Sequence, residues 1–385
     1  PKLKGLESFA GKWYHTGQWP HEGVDFTGKR VGIIGTGSTG IQAIPVIAAQ
    51  ADHLTVFQRT PNFTVPAKNA PLTEEFKREV KATYPAIRQK TRESVFGIPL
   101  DPADKSALEV SPEERNGHYD NLWELGGFRF FLSSYNDLII NKAANETAAE
   151  FVRAKIREIV KDPVTAEKLS PRSYPIGTKR PPIDTDYYET FNRDNVTLID
   201  IRNAPIQEIT KKGIRTRDAE YPVDIIVFAT GFDAMTGALF NLGIRGRDGA
   251  SLQDKWAEGP HTYLGIATAG FPNLFIITGP GSPSVLSNMP ASIEQHVEWI
   301  AECIQYLQRH NLGSIEATEE AQHAWVAHVN EVANATLFPQ ADSWYMGANI
   351  PGKPRVFMPY AGGVGAYREH CAQIAAKGYE GFVTS

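Results

Sequence analysis

Six consecutive residues, Gly35-Thr36-Gly37-Ser38-Thr39-Gly40, carry the spacing G-x-G-x-x-G. They stand between an apolar run at residues 31–34 and a helix-like segment at 41–51, and a second apolar run follows at 54–57. In that setting the first glycine permits a tight turn, the second lets the backbone approach a pyrophosphate, and the third allows close packing of helix on strand. The phosphates then meet the helix N-terminus, where unpaired N–H groups and the dipole favour anions. The chemistry is the binding of a dinucleotide. At the end of the second apolar run, an acid would accept hydrogen bonds from a ribose 2′-hydroxyl. The chain instead has Gln58-Arg59-Thr60, and a guanidinium there suits a 2′-phosphate, so the dinucleotide reads as NADP. A third feature is Lys179-Arg180, held between Gly177 and Pro181. A cation pair on so constrained a loop suits an anion better than a flexible surface run does.

The elements that must position these residues follow from the rest of the pattern. Residues 31–57 form a strand, turn, helix, strand unit, which Pro61 and Pro66 bring to an end. From about 70 to 170 the composition turns charged and helix-forming, a helical insertion with solvated faces. Strand-like runs resume at 196–200, at a hairpin near 213–216 and at 224–228, the last ending in Ala229-Thr230-Gly231-Phe232-Asp233. An apolar run at 271–277 reads as a strand ending in a Gly-Pro turn. A polar loop at 281–288 then leads into a long helix over about 289–308, with Ile293, Val297, Ile300, Ile304 and Leu307 at helical spacing. Near the C-terminus Trp344-Tyr345 precedes Gly347-Ala348-Asn349, a loop able to wall a pocket.

A chain of 385 residues is long enough for two domains. With 42% apolar and 22% charged residues it has the composition of a globular protein, and a net charge of -5 speaks against general nucleic-acid binding. No apolar run approaches the length of a membrane span, and no signal peptide is visible. Cys303 and Cys371 lack ligand spacing and the ten histidines are scattered, so no metal site is read. Reduced, buried thiols fit a cytoplasmic setting. The oligomeric state is not legible.

Phe9, Gly11, His15, Trp19 and Pro20 fit F-x-G-x-x-x-H-x-x-x-W-P. This pattern resembles the fingerprint of the Baeyer-Villiger monooxygenases, a class of flavoproteins, and the Trp-Pro ending separates it from the flavin-containing and N-hydroxylating monooxygenases. Within the family the chain is most similar to phenylacetone and steroid monooxygenases. The resemblance implies an α/β fold: a Rossmann-like NADP-binding domain with a helical insertion, plus the C-terminal part of a second, FAD-binding α/β domain. The expected divisions are a linker with the fingerprint at 1–23, the NADP domain at 24–223 and the FAD-domain part at 224–385. No glycine motif for the ADP part of FAD precedes Phe9, so the expectation is a chain whose FAD-binding beginning is missing, and a non-catalytic NADP-binding fragment is one alternative.

By the same resemblance Arg180 is the catalytic residue. Gly35, Thr36, Gly37, Ser38, Thr39, Gly40, Gln42, Arg59, Thr60, Lys179, Met289 and Trp344 bind cofactor, with the N-terminus of the long helix directed at the flavin. Ser284, Val285, Leu286 and Trp344 shape the substrate pocket. The implied activity uses NADPH, O2 and FAD to insert oxygen beside a ketone carbonyl, giving an ester or lactone; the alternative reaction is N- or S-oxygenation. His15 reads as structural, able to hydrogen-bond across a domain boundary.

Overall fold

The computed structural model describes residues 3–385. These divide into two compact units, one comprising the chain up to Asn69 together with Ala103–Phe232, the other Ala70–Pro102 with Asp233–Ser385.

The first unit contains β1 (Lys12–His15), β2 (Arg30–Ile34), β3 (His53–Gln58), β4 (Val65–Pro66), β5 (Ile183–Asp184), β6 (Val196–Asp200), β7 (Ile206–Ile209), β8 (Gly213–Thr216), β9 (Glu220–Pro222) and β10 (Ile225–Phe228). Its main sheet is parallel throughout, in the order β1-β10-β2-β3-β6. Such a sheet is covered on both faces, so its inner strands β10, β2 and β3 are largely apolar and buried. Val31, Ile33, Leu54, Val56, Ile226 and Val227 are accordingly inaccessible to solvent. One cover is the helix Ser38–Ala48, whose Gly40, Ile41, Ile44, Ile47 and Ala48 repeat at three- and four-residue spacing and are buried. Burial of each isoleucine contributes roughly 1.5–3 kcal/mol. The other cover is the antiparallel meander β7-β8-β9, which shares a core of Ile209, Ile214 and Val223 with Ile34, Phe57, Ile226 and Phe228 of the sheet. Gly32 lets it approach: a Cβ there would lie 2.9 Å from Ile214 Cδ1.

Two expected divisions are displaced. Residues 12–15 are not linker but the edge strand β1, in register with β10 from Lys12 opposite Ile225 to His15 opposite Phe228. The fingerprint glycine has a steric reason, since a Cβ on Gly11 would stand 2.2 Å from Asp224 O. Because β10 pairs with β1 on one side and β2 on the other, the first unit extends past residue 223 to Phe232. The helical insertion is also split. Its residues 103–170 stay with the sheet and cluster three rings around Phe130, with Trp123 edge-on, Tyr119 tilted and Phe151 stacked, whereas 70–102 belong to the second unit.

In the second unit the helices Glu74–Glu93, Met289–Arg309, Glu319–Asn334 and Val364–Ala376 accompany β11 (Ile315–Ala317) and β12 (Phe382–Thr384), which pair antiparallel. Trp299, Cys303, Trp325, Tyr360, Tyr367 and Cys371 form its core. Arg88 and Arg92 pair with Glu294 and Glu298 and tie the first of these helices to the second. The run 271–277 is turns rather than a strand; Asn273 N–H donates to Ile315 O and Ile276 N–H to Ile266 O. The long helix lies where expected, and Leu307 and Ile300 of the expected stripe meet the core, but the rest of the buried face is different. Ser292, Gln295, His296, Trp299, Cys303 and Leu307 are buried, while Ile293, Val297 and Ile304 are exposed.

Candidate active site

The glycine turn joins β2 to the helix Ser38–Ala48, and its three glycines are required for different reasons. Gly35 has φ +110°, and a Cβ on it would stand 2.4 Å from Ala229 O, so the backbone following β10 fills that space. A Cβ on Gly40 would come within 2.3 Å of Gly35 O. At Gly37 a Cβ would meet nothing within 4 Å. Gly37 is also the N-cap of the helix and supplies no side-chain cap. Two glycines thus shape the turn, and the third leaves a bare helix N-terminus facing open space, which is what a pyrophosphate requires. Thr36 is buried and its hydroxyl donates to Thr60 O at 3.1 Å, fastening the turn to the end of β3. Ser38, Thr39 and Gln42 lie in the first turns of that helix.

Beyond β3, Arg59 is exposed. The next residues are gripped by Tyr174: its phenol lies 3.0 Å from Pro61 O and 2.8 Å from Asn62 Oδ1, and it accepts from Phe63 N–H at 3.3 Å. Lys179 Nζ sits 4.5 Å from the centroid of that same Tyr174 ring, a cation–π arrangement. Burial drives the Tyr174 phenol far above its ordinary pKa, so it stays neutral. The Arg59-Thr60 end of β3 and the Lys179 loop are therefore brought together through one buried tyrosine. Arg180 Cζ lies 5.9 Å from the Phe128 ring centroid.

The loop carrying both cations is held from below by Asn145, on the helix Lys142–Ile159. Its Oδ1 accepts from Ile176 N–H at 3.0 Å, and its Nδ2 donates to Ile176 O and Leu138 O, each at 2.8 Å. Gly177 then turns with φ +85°, and the buried Thr178 hydroxyl donates to Pro175 O at 2.6 Å. Neither Asn145 nor Tyr174 was singled out from the sequence. Asn145 had a signal: with Ala148, Ala149, Val152 and Ile156 it falls on one helical stripe, a polar residue on a buried face.

His15 stands at the end of β1. Its Nδ1 accepts from Gly17 N–H at 3.1 Å and its Nε2 lies 3.5 Å from Thr230 Oγ1, with Phe232 packed edge-on at 5.7 Å. The fingerprint histidine thus braces the Ala229-Thr230-Gly231-Phe232 segment inside the first unit.

In the second unit Met289 opens the long helix, whose N-cap Asn288 makes no side-chain capping bond. Before it, residues 284–286 form a short 3-10 turn. Ser284 is buried, and its hydroxyl donates to Thr278 O at 3.0 Å, whereas Val285 and Leu286 are half-exposed. Trp344 is half-buried against Tyr345, with ring centroids 4.5 Å apart. Lys353 closes this segment onto Asp233, Nζ to Oδ1 at 2.6 Å, and also donates to Ala234 O at 2.9 Å. Among the described residues no group of His, Cys, Asp and Glu side chains could hold a metal ion, and no helix is long and apolar enough to cross a membrane.

The parallel sheet, its glycine turn and the clamped cation pair define a dinucleotide-binding α/β protein. No protein-family profile matches the chain. It is 45% identical over 385 residues to a Baeyer-Villiger monooxygenase of Pseudooceanicola batsensis, covering 100% of this chain and 70% of that protein. It is 44% identical over the same length to the phenazine N-monooxygenase PhzNO1 of Lysobacter antibioticus, again covering 100% and 70%. Among solved structures it is similar to an oxidized steroid monooxygenase bound to NADP, with a TM-score of 0.94 and 51% identity, covering 100% of this chain and 72% of the other. It is also similar to OTEMO in complex with FAD and NADP, with a TM-score of 0.96 and 42% identity, covering 100% and 73%. The chain belongs to the Baeyer-Villiger monooxygenase family and spans about 70% of the length of the relatives it matches.

Proposed function

We propose that the protein uses NADPH and O2 to insert one oxygen atom between the carbonyl carbon of a ketone and a neighbouring carbon, giving an ester or lactone, NADP+ and water. Support from the molecule itself comes from one arrangement: Lys179 and Arg180 adjoin on a loop locked by Asn145 and, through Tyr174, tied to the Arg59 end of β3. Two relatives of known structure carry NADP, and one carries FAD as well. The chain's residues fit NADP: the bare helix N-terminus at Gly37 offers N–H groups to the pyrophosphate, with Thr36, Ser38, Thr39, Gly40 and Gln42 around it. Arg59, Thr60 and Lys179 would hold the 2′-phosphate, the guanidinium bidentately and the ammonium as a point charge.

FAD, when bound, supplies the redox chemistry between NADPH and oxygen. Met289 heads a helix whose first N–H groups have no side-chain cap, which suits the electron-rich end of that ring. We assign the Arg180 guanidinium to oppose the negative charge that develops on oxygen as the carbonyl is attacked. Since the Ser284 hydroxyl is committed to Thr278, Val285 and Leu286 would meet the ketone, with Trp344 at the wall. We also propose a cytoplasmic setting, supported by two buried, unpaired cysteines.

The test is the absorbance spectrum of the purified protein with FAD and NADPH, followed by product analysis on a ketone. Flavin bleaching by NADPH without oxygen, with ester formed in air, is the expected result. In Arg180→Ala bleaching persists and ester vanishes; ester at the wild-type rate in that variant would overturn the assignment. The 44% identity to a phenazine N-monooxygenase favours a second reading, oxygen transfer to a heteroaromatic nitrogen. Competition between a ketone and a phenazine separates the two.

A further inference from the structure

Three non-glycine residues around the 284–286 turn have left-handed backbones: Leu264 at φ +59°, Thr278 at φ +53° and Ser284 at φ +41°. For a β-branched residue such as Thr278 this conformation is strained and persists only where surrounding bonds enforce it. Here those bonds converge on one fully buried imidazole. His296 Nδ1 accepts from Thr278 N–H at 2.8 Å, and its Nε2 lies 2.8 Å from the Tyr367 phenol, which donates to Leu264 O at 2.5 Å. The directions are fixed. Since the phenol proton points at Leu264 O, Nε2 must carry the ring proton, leaving Nδ1 as the acceptor. The other end of the strained peptide, Thr278 O, accepts from the Ser284 hydroxyl, and Ser287 Oγ donates to Ser284 O at 2.6 Å.

We propose that His296 is a positioning residue for the ketone: by clamping the Thr278 peptide it sets the turn that presents Val285 and Leu286. This rests on the reaction assigned above. The ring touches neither substrate nor cofactor in this scheme, and it acts through Thr278 and Ser284. Protonation would place an Nδ1–H against the Thr278 N–H, two donors face to face, so the clamp requires the neutral ring. Burial lowers the His296 pKa to about 4, which keeps the ring neutral at working pH.

Two variants separate positioning from mere packing. His296→Asn keeps an acceptor near the place of Nδ1, whereas His296→Leu removes both bonds. In the flavin-loaded enzyme, His296→Leu should raise KM for the ketone about tenfold, the effect of losing the one of its two bonds that holds Thr278 N–H, and leave KM for NADPH unchanged. His296→Asn should restore ketone KM to within about threefold of wild type. Nitrogen-15 spectra of the wild-type ring should show the Nε2–H tautomer at neutral pH. Unchanged ketone KM in the leucine variant, equal impairment of both variants, or an Nδ1–H ring would each overturn the inference. If His296→Leu does not fold, Tyr367→Phe takes its place: removing the phenol should also raise ketone KM, and an unchanged value refutes the clamp. A wild-type enzyme that forms no ester would instead refute the reaction, and the tautomer spectrum would still decide whether the clamp exists.

Discussion

Replacing Asn145 by alanine removes the three hydrogen bonds that hold the cation loop, to Ile176 N–H, Ile176 O and Leu138 O. Asn145 is only 2% exposed, so water cannot readily replace them. At about 0.5–1.5 kcal/mol net for each bond, with a buried N–H left unpaired, the cost is roughly 2–4 kcal/mol. For a unit of this size each kcal/mol lowers the melting temperature by about 2–4 °C, so a fall of roughly 5–15 °C is expected. Asn145→Asp should be worse at neutral pH, since it retains the acceptor for Ile176 N–H but turns a carboxylate oxygen toward two carbonyls. The functional readout is coupling, the ester formed per NADPH consumed. Loosening the segment that carries Arg180 should reduce it while NADPH still bleaches the flavin. Calorimetry and paired assays of NADPH and ester suffice. An alanine variant that melts within 2 °C of wild type (about 1 kcal/mol or less) and keeps its coupling would refute the idea that Asn145 fixes this loop.

Two further outcomes follow from the geometry. Gly35→Ala should fail to fold, since its Cβ would lie 2.4 Å from Ala229 O at φ +110°, whereas Gly37→Ala should fold normally and bind NADPH at least about tenfold more weakly. Expression yield and a fluorescence titration check both, and a soluble, fully active Gly35→Ala would contradict the packing. Asp184 is buried, and desolvation raises its carboxyl from 3.8 to about 6 despite bonds from Tyr187 N–H and the Thr64 hydroxyl. Between those values the folded state binds more protons than the unfolded state, so stability falls as pH rises through the window, by on the order of 3 kcal/mol in all. Asp184→Asn should flatten that slope in urea melts at pH 4 to 7; an unaltered slope would place the titration elsewhere.

The parts legible in the sequence were those written in glycine and in apolar runs. The G-x-G-x-x-G turn, the sheet strands after it and the span of the long helix follow from periodicity and steric need. What escaped reading was polar burial. Ranking residues by apolarity turned the helix at 289–309 toward Ile293, Val297 and Ile304, yet Gln295 and His296 lie inside, and His296 is at home there because both ring nitrogens are bonded. Asn145 was hidden likewise in a charged, helix-forming stretch. The apolar run at 271–277 is equally compatible with a strand and with buried turns, and only its long-range partners at Ile266 and Ile315 decide. The boundary near residue 223 was misread because nothing local in β10 reveals that it returns between β1 and β2.

That return governs how the chain can be made. Roughly 210 residues separate His15 from Ile225, its neighbour strand. At ribosomal speeds of about 5–20 residues per second, β1 waits some 10–40 s for the only strand it pairs with among the described residues. Until then the apolar edge of β2 that β10 will cover stands open to chaperones and to stray strand edges. A nascent chain stalled before residue 225 should therefore be the most aggregation-prone species of this protein, and one stalled well beyond Phe232 should be protected.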